Sequence, residues 1–431
     1  MNGASERAAN HIDSNTSARS LLRSLFDTAL AAVDPMQCVA AHLPPRPKGK
    51  TLIVGAGKAS ARMARAVEAA WDGPLSGLVV TRYGHGDTCS RIEVVEAGHP
   101  VPDAAGAAAA RRMLDMARHV GPDDLVLALM SGGGSSLITL PAKGLTVDDL
   151  RNVNLALLNS GAPITEMNMV RRHLSAIKGG RLAAACGAAA VHTLVISDVP
   201  GDDPAVVASG PTMPDLSQPQ DALEVLQRRG ISVSAAVMQV LQRPVAVATA
   251  HTMGRRSVKV VATADTALRA AVALGQQHGL EVINLGGNVE GESRDVARRQ
   301  AAMARGLRAA ASSSSGKPRL LISGGETTVT VSGTGRGGRN SEFLLALALA
   351  LQGEPGIHAL AADTDGIDGV QDNAGGYIGP DSLHLAGKRG LNPQALLDNN
   401  DAYAFLSSLG DLICTGPTRT NVNDFRALLI A

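Results

Sequence analysis

The chain has 431 residues, enough for two or three domains with full cores. Hydrophobic residues make up 45%, charged residues 18% and aromatics 2%, with a formal net charge of +1, so neither a nucleic-acid surface nor base-stacking platforms are expected. No apolar run reaches the roughly 18 residues of a membrane span, and Cys38, Cys89, Cys186 and Cys414 lie too far apart in sequence to suggest a disulfide framework or a zinc site.

In chain order, residues 1–17 are polar without an apolar signal core, which predicts a frayed tail, no export and a cytoplasmic protein. Helical periodicity covers 18–33. An apolar strand at 51–54 enters Gly55-Ala56-Gly57-Lys58, and a helix follows at 59–70. Next come a strand at 77–81, a helix at 104–119, a buried strand at 125–130, helices near 148–158 and 178–185, and a strand at 192–197. A moderately polar helical stretch, 215–241, and the segment 244–249 lead to a new strand at 258–263. The pattern then repeats: helix 266–278, strand 281–285, helix 292–311, a Ser-Gly linker at 312–316 and a strand at 320–322. A β-branched run at 327–331, helix 342–351, strand 358–362, helix 393–399 and an apolar run at 425–430 complete the chain. No repeat of 20–50 residues is present. The alternation predicts an α/β protein with parallel, doubly wound sheets, divided into domains at 18–245 and 246–431. Ligands of such sheets bind beyond the carboxyl ends of the strands, so two domains facing each other would form a cleft.

Several segments carry chemistry at those strand ends. The densest is 319–345, where a strand stops at Ser323-Gly324-Gly325-Glu326 and a Gly- and Arg-rich loop, 333–339, opens a helical pattern containing Asn340 and Glu342. Glycines let backbone amides converge on an anion, and Arg336 and Arg339 suit phosphate or carboxylate. The turn Gly55-Ala56-Gly57-Lys58 reads either as a phosphate cradle with a point charge or as a tight turn with an exposed lysine. It lacks Walker A spacing, and Ser60 stands where a dinucleotide fingerprint needs its third glycine. The following strand ends in Thr81-Arg82 with no acid, which weakens an NAD reading. Ser131-Gly132-Gly133-Gly134-Ser135-Ser136 offers an anion nest or a flexible turn. Asn168, Arg171, Arg172, His173, Lys178 and Arg181 read as carboxylate or phosphate capture, or as a solvated basic face. Asp198, Asp202 and Asp203 at a strand end suit Mg²⁺ or a base for a hydroxyl proton, or form an Asp-rich turn. Asp363, Asp365 and Asp368 suit metal or ribose contact, without EF-hand spacing, or form a plain turn. Thr418 and Asn421 lie in a polar segment that would line a pocket or form a plain loop. Several anion turns, two Asp clusters and clustered cations are the parts of phosphoryl transfer, which works by positioning and electrostatics.

The stretches VGAGKASARMA, VTRYGHG, EAGHPVPD, LMSGGGSSL, MNMVRRHLSAIKGGRLA, SDVPGDDPAVVASGPT, LISGGETTVTVSGTGRGGRNSEF, ADTDGIDG and GDLICTGPTRTNVNDF together resemble the glycerate 2-kinase family, also met as the MOFRL family and often labelled hydroxypyruvate reductase. The resemblance spans about residues 50–425. It implies phosphorylation of D-glycerate to 2-phosphoglycerate by ATP with Mg²⁺, no nucleic-acid or membrane partner, and room for a homo-oligomer. It implies a Rossmann-like N-terminal domain, a smaller C-terminal MOFRL domain and an active site between them. Carried over, it makes Lys58 and Arg339 catalytic cations and Asp198 a metal-binding or catalytic carboxylate. Around them, Gly55, Gly57, Ser131–Ser135, Asn168, Arg171 or Arg172, Lys178, Gly324, Gly325, Glu326, Asn340, Glu342, Thr418 and Asn421 would bind substrate and phosphate. Asp198, Asp202, Asp363 and Asp365 would hold the metal. Two other readings remain open: an NAD(P)H-dependent hydroxypyruvate reductase, and a non-catalytic nucleotide or sugar-phosphate sensor.

Overall fold

A computed structural model describes residues 15–243, 254–311 and 317–431. The chain forms two compact units, one made of residues 35–261 and the other of the N-terminal segment up to 34 together with 262–431. The predicted boundary at 245 and the Ser-Gly linker at 312–316 lie outside the described residues, as does most of the predicted N-terminal tail; Asn15 already begins a helix.

Residues 35–261 contain strands β1 (Thr51–Ala56), β2 (Leu75–Arg82), β3 (Ile92–Ala97), β4 (Leu125–Ser131), β5 (Ala190–Ile196) and β6 (Arg256–Ala262), which ends one residue past the division. They form a sheet in the order β3-β2-β1-β4-β5-β6, with parallel pairing at β2–β3, β1–β2, β1–β4 and β4–β5. β1 and β4 are buried along their whole length, which is why each reads as an unbroken apolar run. β3 escapes the sequence reading because it is a half-exposed edge strand carrying Glu93 and Glu96. The order reverses between β1 and β4, so their carboxyl ends flank the topological switch point.

A second core in this unit joins the helices Val147–Asn159, Ile164–His173, Pro219–Arg228 and Ala235–Leu241 through Leu157, Val170, Leu174 and Leu226. Thr146 starts the first of these with a reciprocal capping box to Asp149. The helix Ile164–His173 is not legible as a separate element in the sequence; Pro163 precedes it without a side-chain cap.

The other unit contains β7 (Glu281–Asn284), β8 (Gly291–Glu292), β9 (Arg319–Gly325), β10 (Thr327–Thr328), β11 (Ile357–Asp363), β12 (Gly375–Ile378), β13 (Leu412–Ile413) and β14 (Asp424–Ile430). Its main sheet runs β13-β12-β11-β14-β9-β7. Here the expected parallel sheet is corrected. β14 lies antiparallel between β9 and β11, and β12 is antiparallel to β11, so the sheet is mixed. A strand buried on both faces, as β14 is, carries no mark of its direction in sequence.

The first helix, Asn15–Ala32, is also reassigned. It was expected in the N-terminal domain but packs in this second unit, burying Leu22, Leu25, Phe26 and Ala29 on one stripe. Phe26 meets Phe425 of β14 at 5.6 Å between ring centroids, and Thr420 Oγ1 donates to the Val33 carbonyl.

Candidate functional site

At the switch point the turns after β1 and β4 are knitted together. Lys58 N–H donates to the Gly132 carbonyl over 2.9 Å, and Ala59 N–H donates to Ser131 Oγ over 3.0 Å. Gly57 N–H reaches the Val80 carbonyl and Ser60 N–H the Gly57 carbonyl. The amides at Gly57–Ser60 are therefore spent inside the fold, and what this turn offers a ligand is the Lys58 side chain. Gly57, at φ 139°, has no room for a side chain, because a Cβ would run into Ser131 Oγ. Gly55 lies within β1 itself and serves its close pairing.

Gly133 adopts φ 79° at the start of the turn after β4. A Cβ there would lie 2.8 Å from His99 Nε2 and 3.4 Å from Lys58 Cγ, so both side chains pass close over this glycine. Gly134 and Ser135 begin the short helix Gly134–Leu137, and Ser135 Oγ shares a 2.8 Å hydrogen bond with Ser209 Oγ. Ser209 and its neighbour Ala208 hold left-handed backbone conformations (φ 61° and 53°), a strain that non-glycine residues accept only where the surroundings fix them. Asp198 follows β5 by two residues, and the register of Ser131 with Ile196 places it at this same edge. Asp202 lies in the loop beyond, at φ 56°.

A cavity of about 210 Å³ opens beside Gly133 and Ser135, lined by Asn154 and Arg171 from two helices and by Lys178 from the turn after the second. The clustered basic residues divide sharply. Arg172 donates to Asp215 over 3.1 Å, and Arg181 caps the carbonyls of Arg172 and Lys178 at 2.9 Å, so both are structural. His173, kept neutral by burial, bonds Ser217 at 3.0 Å. Arg171 and Lys178 instead face the cavity. Arg171 Nε donates to Asn154 Oδ1 over 2.8 Å, and Asn168 accepts a longer bond from Nη1. Neither cation pairs with a carboxylate among the described residues. Burial pulls Arg171 below its ordinary value, and burial aided by the Arg171 charge pushes the Lys178 ammonium down to about 7. Asn154 and His99 are contributions that the sequence reading missed. An asparagine mid-helix carries no local signal, and His99 stands out only through the EAGHPVPD motif.

In the second unit, Arg339 opens the helix Arg339–Leu351 and is ringed by acids from three strand ends. Its Nε donates to Asp424 and its Nη2 to Asp363, each over 2.8 Å, and its Nη1 donates to Glu326. The antiparallel β14 makes this possible, since its first residue lies beside the last residues of β9 and β11. Burial pulls against the Arg339 charge, yet Asp424, Asp363 and Glu326 hold it well above its ordinary value. Arg426, fully buried, donates to the other oxygen of Asp424 and to Thr327, with its guanidinium 5.4 Å from the Phe343 ring centroid.

The remaining predicted residues of this unit are engaged internally. Asn340 donates to Asp424 over 2.7 Å, and Glu342 accepts from Arg294 and Asn400, each over 2.9 Å. Asp368 accepts the Asn340 and Ser341 amides over 2.9 and 2.8 Å, capping their helix from outside. Asp365 accepts the Ile367 amide, and Thr418 donates to the Thr364 carbonyl. Gly324 and Gly325 end β9, and Asn421 is buried. Among the described residues no three His, Cys, Asp or Glu side chains converge as a metal cage.

A family model described as a domain of unknown function, DUF4147, matches residues 21–242, and the MOFRL family model matches 319–424. The chain is 38% identical to a D-glycerate 2-kinase of Thermotoga maritima over 95% of this chain and 97% of that protein. It is 50% identical to an Agrobacterium vitis protein named "Putative hydroxypyruvate reductase", over 96% and 95%. The crystal structure of a glycerate kinase from Thermotoga maritima superposes with a TM-score of 0.87 at 37% identity, covering 96% of this chain and 100% of that one.

Proposed function

We propose that Lys58, Asp198 and Arg339 serve the phosphoryl transfer from ATP to D-glycerate of the glycerate 2-kinase family, to which the chain belongs. The observation that carries the reading is Lys58 laid over Gly133 at the switch point, with a small cavity lined by that same glycine and by His99. In this reading Lys58 meets the migrating phosphoryl group, and the turn Ser131–Ser135 shapes the floor beneath it. Charge builds on that group in the transition state, and a fixed ammonium offsets it without reorganising solvent.

Asp198 stands at the same edge as the proposed hydroxyl base or metal carboxylate. Mg²⁺ is commonly held by one or two carboxylates plus the nucleotide phosphates, so Asp198 and Asp202 suit it without a larger cage. When bound, it would neutralise phosphate charge. Asp363 and Asp365 suit that role less well, since Arg339 and a backbone amide already occupy them. Arg339 is the proposed cation of the second unit. It can turn toward a phosphate most cheaply by releasing Glu326, whose side chain is 49% exposed, against 5% for Asp363 and 0% for Asp424.

The reductase reading is weakened by the same geometry. A dinucleotide pyrophosphate needs free amides after the first strand, and here they bond Val80, Gly132 and Ser131. The test is incubation with ATP, Mg²⁺ and D-glycerate, with ³¹P NMR of the product. A phosphate ester on carbon 2 is expected. Nicotinamide oxidation with hydroxypyruvate and no phosphate ester would overturn the assignment.

A further inference from the structure

We propose that the cavity beside Gly133 is the seat of the acceptor acid, where Arg171 and Lys178 together hold the carboxylate of a short hydroxy acid. The inference deepens the kinase reading and rests on it for the identity of the acid.

Three features carry it. The first is charge. Two cations face one small cavity, both largely withdrawn from water, and no carboxylate among the described residues pairs with either. Their neighbours Arg172 and Arg181 are satisfied by the protein itself. Burying two like charges without a counterion is costly unless a ligand supplies one. The second is pre-organisation. Asn154 fixes the Arg171 fork through Nε and Asn168 holds Nη1 by a longer bond, which leaves Nη2 to reach an anion. The third is shape. About 210 Å³ is below the usual range for drug-sized ligands, and Pro100, Leu150 and Leu174 give the cavity an apolar side. A small carbon skeleton profits from such a wall, whereas a bare phosphate has no apolar surface to offer it.

The carboxylate would then lie away from Lys58, and the hydroxyl carbon would point back across Gly133 toward it. A three-carbon acid fits this arrangement. A nucleotide phosphate is assigned to the Lys58 side instead.

Initial rates and calorimetry on the intact protein test this. For Arg171→Met and Lys178→Met, the KM for D-glycerate should rise about tenfold or more, with the KM for ATP little changed. Asn154→Ala, which leaves both cations in place, should raise the same KM by a smaller factor. Titration of D-glycerate into nucleotide-free wild-type protein should give binding that either Met variant loses. Inorganic phosphate titrated alone should not compete.

An unchanged KM for D-glycerate in active variants would overturn the subsite while leaving the kinase reading intact. Competition by phosphate for the same residues would overturn it too. If wild-type protein phosphorylates no glycerate, the kinase reading falls. The calorimetry still decides the subsite, with L-lactate and hydroxymalonate as added probes, and no binding of any of the three acids would reject it. If a Met variant fails to fold by circular dichroism, Asn154→Ala and the wild-type titration carry the decision.

Discussion

Arg339 and Asp424 meet at the junction of three strands, Nε to Oδ1 over 2.8 Å, while the other oxygen of Asp424 takes the buried guanidinium of Arg426. One carboxylate thus holds two arginines, and its removal would take from Arg426 the carboxylate it pairs with and leave Arg339 with Asp363 and Glu326 alone. Asp424→Asn is expected to lose about 3–5 kcal/mol of stability, read as a shift in the urea midpoint. Arg339→Ala should lower turnover and stability together, because Asp363 and Asp424 would be left facing each other. A variant with normal stability and lost turnover would show that the ring of acids is not structural.

Gly133 sets a stricter test. Its φ of 79° strains any L-residue, and a Cβ would press on His99 Nε2 at 2.8 Å. Gly133→Ala should cost about 1–3 kcal/mol of stability and, by displacing His99 from the cavity it lines beside Lys58, about a hundredfold in turnover. Steady-state kinetics beside thermal melting separate the two effects. Full activity would mean that the reaction does not depend on the placement of His99.

The Lys178 ammonium gives a pH signature. It is pushed down from an ordinary 10.5 to about 7, facing Arg171 from the helix Ile164–His173 and His99 from the loop after β3, with no acid lining the cavity among the described residues. In the ligand-free fold the proton leaves near pH 7, whereas the unfolded chain keeps it until about 10.5. The unfolded state therefore binds more protons between those values, so this group makes stability rise with pH across that window and adds no slope below it. Binding an anion needs the charged form, so the KM for D-glycerate should climb above pH 7, by up to about tenfold per unit. Lys178→Met should flatten both profiles. A wild-type KM that stays level to pH 9 would contradict the assignment.

Asp368 tests the helix that presents Arg339. Burial raises its carboxyl above the ordinary range, and the Ser341 hydroxyl and the Asn340 and Ser341 amides pull it back. Asp368→Ala strands those donors and should cost about 1–3 kcal/mol in denaturant melts. A loss well below this range would mean that water replaces the cap.

Much of the first unit was legible because its central strands are apolar runs ending in glycine, and parallel register then brings Lys58, Gly133 and Asp198 to one edge. The direction of β14 was not legible, and with it went the ring around Arg339, which exists only because an antiparallel strand brings Asp424 alongside Gly325 and Asp363. Sequence also grouped Arg171, Arg172, Lys178 and Arg181 as one basic cluster. Which of them are free to meet a ligand depends on Asp215, forty-odd positions downstream, and no spacing rule joins it to Arg172. Glu342 and Asn340 look like site residues beside Arg339, but the helix turns them inward to Arg294, Asn400 and Asp424.

The placement of the helix Asn15–Ala32 bears on how the protein is made. Phe26 is made roughly 400 residues before Phe425, on the strand that receives it. At about 5–20 residues per second, the nascent helix carries an uncovered apolar stripe for tens of seconds while the whole middle of the chain is translated and can fold. That interval is an opening for chaperones. It also means that a substitution on the buried stripe of this helix would strike the unit holding residues 262–431, not the unit it adjoins in sequence.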